Sequence, residues 1–174
     1  LGGYYTGLPG WEFSIEGYYK QMRHILEYQD GVSFFGTSTN WEEKVEMGEG
    51  RSFGLEAMVQ KTFGKTTGWL AYTLAKTDHR FKDGAISQGK WFPYKYDRRH
   101  SISLCLNHKF SERIDVGASW IFNTGGCITV PERETIVIRP DGNVESAPYI
   151  SQRNNYRLPA SHRLNLGINF NKKT

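Results

Sequence analysis

The sequence predicts an all-β protein of antiparallel up-and-down strands, about six in number, of the transmembrane β-barrel type. Three observations carry that expectation. Apolar and polar residues alternate with a period of two in six separate runs. The connections between the runs alternate short and long. No apolar stripe at i, i+3 and i+4 persists over three turns, so little or no helix is expected.

The first run sets Trp11, Phe13, Ile15, Gly17 and Tyr19 against Glu12, Ser14, Glu16, Tyr18 and Lys20. The second separates Phe53, Leu55, Ala57 and Val59 from Gly54, Glu56, Met58 and Gln60. Around Gly68 to Lys76, Leu70, Tyr72 and Leu74 oppose Ala71, Thr73 and Ala75. The fourth places Ile102, Leu104 and Leu106 against Ser101, Ser103, Cys105 and Asn107. The fifth places Val116, Ala118, Trp120 and Phe122 against Asp115, Gly117 and Ser119. The last, Leu164, Leu166, Ile168 and Phe170 against Arg163, Asn165, Gly167 and Asn169, has the sharpest contrast.

Gly64 to Thr67 and Ser111 to Glu112 read as tight hairpin turns, whereas Asp30 to Gly50, Asp78 to Arg99 and Thr124 to Ser161 read as long loops. Hairpin strands reverse direction at each turn, so this alternation sends every long loop to one end of the sheet. Outer-membrane barrels have that asymmetry, and soluble sandwiches mix their loop lengths. On this reading Glu12, Glu16, Lys20, Glu56, Gln60, Asn107, Lys109, Asp115, Arg163 and Asn169 face a wet lumen, and the apolar parity faces lipid. Tyr4, Tyr5 and Trp11 at the short-turn end, and Tyr28, Phe81 and Phe122 towards the long-loop end, would form interfacial girdles. A soluble sheet with one face on a core gives the same alternation. A soluble β-sheet binding or adhesion module is therefore the alternative.

The 174 residues suit one domain, and 38% apolar with 14% aromatic residues excludes a disordered, solvating chain. The 22 Lys and Arg against 18 Asp and Glu are interspersed, so no basic arm points to nucleic acid. No apolar run approaches the roughly 18 residues of a spanning helix. The chain opens on Leu1-Gly2-Gly3 and closes on Asn171-Lys172-Lys173-Thr174, which reads as a piece of a longer chain, with residues 1–174 a partial barrel domain. Cys105 and Cys127 lie in unlike surroundings and read as two unpaired thiols.

Several segments resemble the C-terminal barrel portion of TonB-dependent outer-membrane receptors. They are Gly10-Trp11-Glu12-Phe13-Ser14-Ile15-Glu16-Gly17-Tyr18-Tyr19-Lys20, Gly54-Leu55-Glu56 and Gly68-Trp69-Leu70-Ala71-Tyr72-Thr73-Leu74. Phe92-Pro93-Tyr94-Lys95 leading into Tyr96-Asp97-Arg98-Arg99-His100, and Leu158-Pro159-Ala160-Ser161-His162-Arg163, are the most specific, each opening a strand after a long loop. The resemblance implies a barrel of about twenty-two strands around an N-terminal plug, with this chain a segment of that large transmembrane β-barrel. It implies uptake of a bulky small-molecule or oligomeric solute, energised by the TonB system through the N-terminal part, in the outer membrane of a Gram-negative cell. It implies contact with outer-membrane lipid and leaves room for a surface lipoprotein partner. Neither a plug nor an energy-coupling box is found in these residues, and an isolated segment is expected to self-associate through its strand edges.

No catalytic constellation emerges, and neither an enzyme activity nor a cofactor is expected. His24, His79, His100, His108 and His162 lack ligand spacing, so no metal is expected. Glu12 and Glu16 lie roughly 13 Å apart along one strand, too far for a glycosidase pair. Glu42, Glu43, Glu46 and Glu49 read as solvated loop carboxylates. Recognition is expected in the long loops, where Phe34, Phe35, Trp41, Trp91, Phe92 and Tyr94 either stack on a solute or pack the loops together. Arg98 and Arg99, in the Asp97-Arg98-Arg99-His100 cluster, read either as an anion clamp or as rim charges paired with neighbouring strands. Trp41, Trp91, Tyr94, Arg98 and Arg99 are the candidate ligand contacts.

Overall fold

The computed structural model describes residues 1–29, 40–84, 86–138 and 142–172. In chain order the strands are β1 (Gly2–Tyr5), β2 (Trp11–Tyr28), β3 (Val45–Lys61), β4 (Thr66–Arg80), β5 (Phe92–Pro93), β6 (His100–Lys109) and β7 (Ile114–Asn123). They continue with β8 (Cys127–Ile128), β9 (Arg133–Ile138), β10 (Val144–Tyr149), β11 (Tyr156–Arg157) and β12 (Ser161–Phe170). The principal sheet is antiparallel, in the order β1-β2-β3-β4-β6-β7-β12, with β5 beside the far end of β4. It does not close on itself. No helix among the described residues is long and apolar enough to cross a membrane.

The six runs legible in the sequence are β2, β3, β4, β6, β7 and β12, each hydrogen-bonded to the next in that order. β1 is an additional edge strand, paired from Gly2 opposite Glu16 to Tyr5 opposite Phe13. The connection expected over Asp30 to Gly50 is shorter, because β3 already begins at Val45. Likewise β4 carries Asp78 to Arg80, and four short strands occupy the connection between β7 and β12. These extensions bury little apolar surface. Polar contacts support them instead, among them Gln29 Nε2 donating to Glu46 at 2.7 Å and the Arg80 guanidinium donating to Glu49.

Register settles which side chains share a face. Phe13, Val59, Leu70, Leu104, Trp120 and Leu164 form one cross-strand row, and Ile15, Ala57, Tyr72, Ile102 and Phe122 form the next. All six apolar parities therefore fall on one face, and Ser14, Met58, Ala71, Ser103 and Arg163 on the other. Among the described residues nothing covers the apolar face: Leu166 is 71% and Phe170 78% exposed.

The apolar band does not run straight across the strands. On β2 it centres near Ile15, whose row ends at His162 on β12, whereas the β12 apolar residues Leu164 to Phe170 centre near Gly167, five residues nearer the short turns. Five residues are about 17 Å along a strand, and five strand spacings are about 24 Å, which inclines the band by about 35° to the perpendicular of the strands.

Buried apolar packing occurs elsewhere. Phe81, Ile86 and Phe92 form a small core at the long-loop end, with Ile25 against it. Phe81, expected in an aromatic girdle, is thus inside that core. A β-bulge makes the arrangement fit: His24 has φ 58°, and the register shifts between Arg23 and Ile25. The extra residue reverses the parity of β2 and brings Ile25 to the polar side of the sheet, where the core lies.

Gly68 has φ +151°, and a Cβ there would stand 2.1 Å from the Cys105 carbonyl oxygen, which the β6 ladder holds in place. A Cβ at Gly117 would meet nothing within 4 Å. Gly68→Ala is expected to destabilise the folded protein by about 2 kcal/mol or more. Gly117→Ala should stay within about 0.5 kcal/mol. Unfolding midpoints of the two variants check the contrast.

Candidate functional site

The long-loop end gathers the residues that carry chemistry. Its centre is Asp97, 3% exposed, in the turn between β5 and β6. The carboxylate accepts a hydrogen bond from the Thr77 amide of β4 at 2.7 Å and pairs with Arg99 at 3.4 Å. It also pairs with Arg157 of β11, sixty residues away in sequence, whose Nη1 donates to the Asp97 and Gly125 carbonyl oxygens. A buried carboxylate is tolerable only when its lone pairs are met by charge and hydrogen bonds, and this one is met from three segments. Among the described residues, Arg99 Nε is buried without a partner. Asp97 lies within the segment Tyr96 to His100, and Arg157 immediately precedes the segment Leu158 to Arg163. A Cβ at Gly125 would approach the Leu158 carbonyl oxygen to 2.1 Å, so glycine allows the two loops to close here.

A second element, residues Gln152 to Asn155, straps the loops together through side-chain amides and guanidinium. Gln152 Nε2 donates to the Trp91 carbonyl at 2.9 Å, Asn154 Nδ2 to the Pro93 carbonyl at 2.8 Å, and Asn155 Nδ2 to the Val130 carbonyl at 2.9 Å. Arg153 donates to the Tyr28 carbonyl at 2.8 Å and pairs with Glu27 at 3.6 Å, tying the end of β2 to the strap. Glu132, held below the usual carboxylate range by hydrogen bonds from Ser151 and Asn155, anchors the strap's far side.

The five residues expected to contact a ligand part company. Trp41 opens a 3-10 turn, Trp41–Lys44, just before β3. Trp91 is half-buried, with the Arg51 and Arg80 guanidinium carbons 4.3 and 4.8 Å from its ring centroid. Register puts both arginines on the apolar-parity side of the sheet. Tyr94 stacks on His79 at 4.4 Å and meets Tyr96 edge-on at 5.4 Å, on the opposite side with the Phe92 core. Arg99 is engaged by Asp97, and Arg98 is exposed. Phe34 and Phe35 lie outside the described residues. Trp91 thus packs on two strand arginines, Tyr94 on His79, and Arg99 on an internal carboxylate. Tyr96, with Lys95 Nζ 5.0 Å over its ring, and Arg98 are exposed.

Cys105, half-buried, and Cys127, buried, are free thiols, and burial pushes the Cys127 thiol above its usual range. His79 lies above the apolar band, buried against Phe92 and Tyr94, and burial holds its imidazole below the ordinary range, opposed by the Glu27 and Asp78 carboxylates. No protein family, curated protein or solved structure matches this chain.

Two predictions follow from the charges. Asp97→Asn leaves Arg157 and Arg99 facing a neutral amide and should cost about 3–5 kcal/mol locally. Faster proteolysis within residues 124–160 of the otherwise folded protein would register it. For His79 the loosened state binds the proton more readily than the folded one. The loop end therefore loses stability as pH falls from about 6.5 towards the depressed folded value. Proteolysis within residues 81–99 should accelerate over that interval, and His79→Gln should flatten the dependence.

Proposed function

We propose that this chain is part of the barrel wall of a TonB-dependent outer-membrane receptor that takes up a bulky solute. The observation that carries the reading is the inclined, uncovered apolar band shared by all six strands. Barrel strands tilt by 35–45° to the barrel axis, so a band level with a membrane must cross them obliquely, as this one does by about 35°. The ten residues of β6, β7 and β12 match the 9–11 that a tilted strand needs to cross a bilayer. The longer β2, β3 and β4 carry their extra residues past the band on the long-loop side. Open sheet edges are excluded from lipid, so further strands of the receptor would pair with the free edges of β12 and of β1–β2.

In this role the polar face lines the lumen, the strapped loops form an outer rim, and Tyr96 and Arg98 meet the solute there. The soluble adhesion reading requires a core beneath the apolar face, which the exposure of Leu164 through Phe170 disfavours.

Single-cysteine variants of the full protein in membranes, on a background lacking Cys105 and Cys127, test the reading. With a lipid-phase reagent, Leu104→Cys and Leu166→Cys should label at least about tenfold more than Ser103→Cys and Asn165→Cys, since parity decides exposure to lipid. Equal labelling of the two parities would overturn it.

A further inference from the structure

On the outward face, apolar residues give way abruptly to charge. Above Tyr19, Phe53 and Leu74 the same parity carries Arg23 on β2, Arg51 and Glu49 on β3, and Lys76, Asp78 and Arg80 on β4, with Lys82 just beyond. Each carboxylate is shared by two cations. Asp78 takes Arg51 at 3.1 Å and Lys76 at 3.3 Å, and Glu49 takes Arg80 and, at 3.4 Å, Lys82. Even with the neighbouring Asp83 counted, positive charge exceeds negative along this belt. Two of the cations are held in place rather than waving in solvent: Arg51 and Arg80 both rest on the Trp91 ring.

Two hollows lie along the belt. Beneath it, an apolar groove of about 570 Å³ is lined by Tyr19, Phe53, Leu55, Leu74, Lys76 and Arg99. Within the belt, a hollow of about 300 Å³ is lined by Arg23, His24, Glu49, Arg80, Lys82 and Asp83. An apolar groove ending in fixed cations, at the level where hydrocarbon would give way to water, has the polarity of an anionic lipid read from tail to head.

We propose that this belt and groove dock a membrane lipid through its phosphate, with an acyl chain along Leu55 and Leu74 and the phosphate among Lys76, Arg51, Arg80 and Lys82. Arg51 spends Nε and Nη2 on Asp78, and a guanidinium has five N–H donors in all, so pairing within the protein does not exhaust it. Anionic headgroups draw basic residues at a membrane surface, and a fixed cluster concentrates that attraction at one place. The inference rests on the membrane reading above.

The test uses the full protein in detergent, stripped of lipid, and titrated with micelles containing either phosphatidylglycerol or an uncharged galactosyl diacylglycerol. Retained lipid is measured by native mass spectrometry. Wild type should retain phosphatidylglycerol at least tenfold better. The triple variant Arg23→Gln, Lys76→Gln, Lys82→Gln, which leaves the Arg51–Asp78 and Arg80–Glu49 pairs intact, should lose that preference. Equal retention of the two lipids, or an unchanged triple variant, overturns the proposal. Displacement of phosphatidylglycerol by equimolar inorganic phosphate overturns it too, as a free-anion site. The cysteine labelling above separates the two failures: Leu104→Cys and Leu166→Cys that label from lipid, beside a belt with no lipid preference, remove this inference and leave the membrane reading standing.

Discussion

Cross-strand register is the constraint on which the rest of the molecule depends. With a side-chain period of two, a slip of one residue in any ladder would turn that strand's apolar set to the polar side. On β12 it would exchange Leu164, Leu166 and Ile168 for Arg163, Asn165 and Gly167. The polar face supplies the pins. Asn165 Nδ2 donates to Ser119 at 3.1 Å, and Asp115 accepts from Asn169 at 2.9 Å and from Asn171 at 2.7 Å, fixing β12 on β7 along its length. At the preceding turn Ser111 Oγ accepts from the Arg113 and Ile114 amides at 3.2 Å, which sets the β6–β7 hairpin. The polar face thus orders the strands, and the apolar face takes its shape from that order.

This division inverts the usual economy of a sheet protein. Burial of apolar side chains is confined to a few residues at one end, Phe81, Ile86, Phe92 and Cys127, while the broad apolar face has no protein cover among the described residues. The small core holds loops in place; it does not hold the strands together. Its position depends on the parity change at His24, without which Ile25 would point outward with Arg23. Asp97 does for the polar part of that end what Phe92 does for the apolar part, gathering β4, the turn before β6 and β11 on one carboxylate.

What was legible in the sequence follows from contrast. Where apolar and polar residues alternate cleanly, as from Leu164 to Phe170, strand and facing could both be read. Where the contrast fades, they could not: the far halves of β2 and β3, with Arg23, His24, Glu46 and Glu49, are strands held by polar cross-strand contacts, and periodicity has no apolar signal there. β1, only four residues long with two glycines, gave no period to count. At the rim, the aromatic and basic character of Trp91, Tyr94 and Arg99 was visible, but their partners were not, because Arg51, His79 and Asp97 reach them by fold rather than by spacing. The Asp97–Arg157 pair spans sixty positions, and local pattern does not encode a contact of that kind. The one hint was that Asp97 lies within, and Arg157 next to, the segments that resembled a known family.

The strap at Gln152 to Asn155 has a bearing on how such a rim can diversify. Four of its anchors are main-chain carbonyls, those of Tyr28, Trp91, Pro93 and Val130, and a carbonyl is the same whatever side chain its residue bears. Residues around those carbonyls can therefore be exchanged without unfastening the strap, provided the backbone keeps its path. The strap's own amides have no such latitude, since shortening one leaves a carbonyl unmet. Loops fastened in this way separate fixed from variable positions: a short run of polar side chains holds still while the surface around it is free to change.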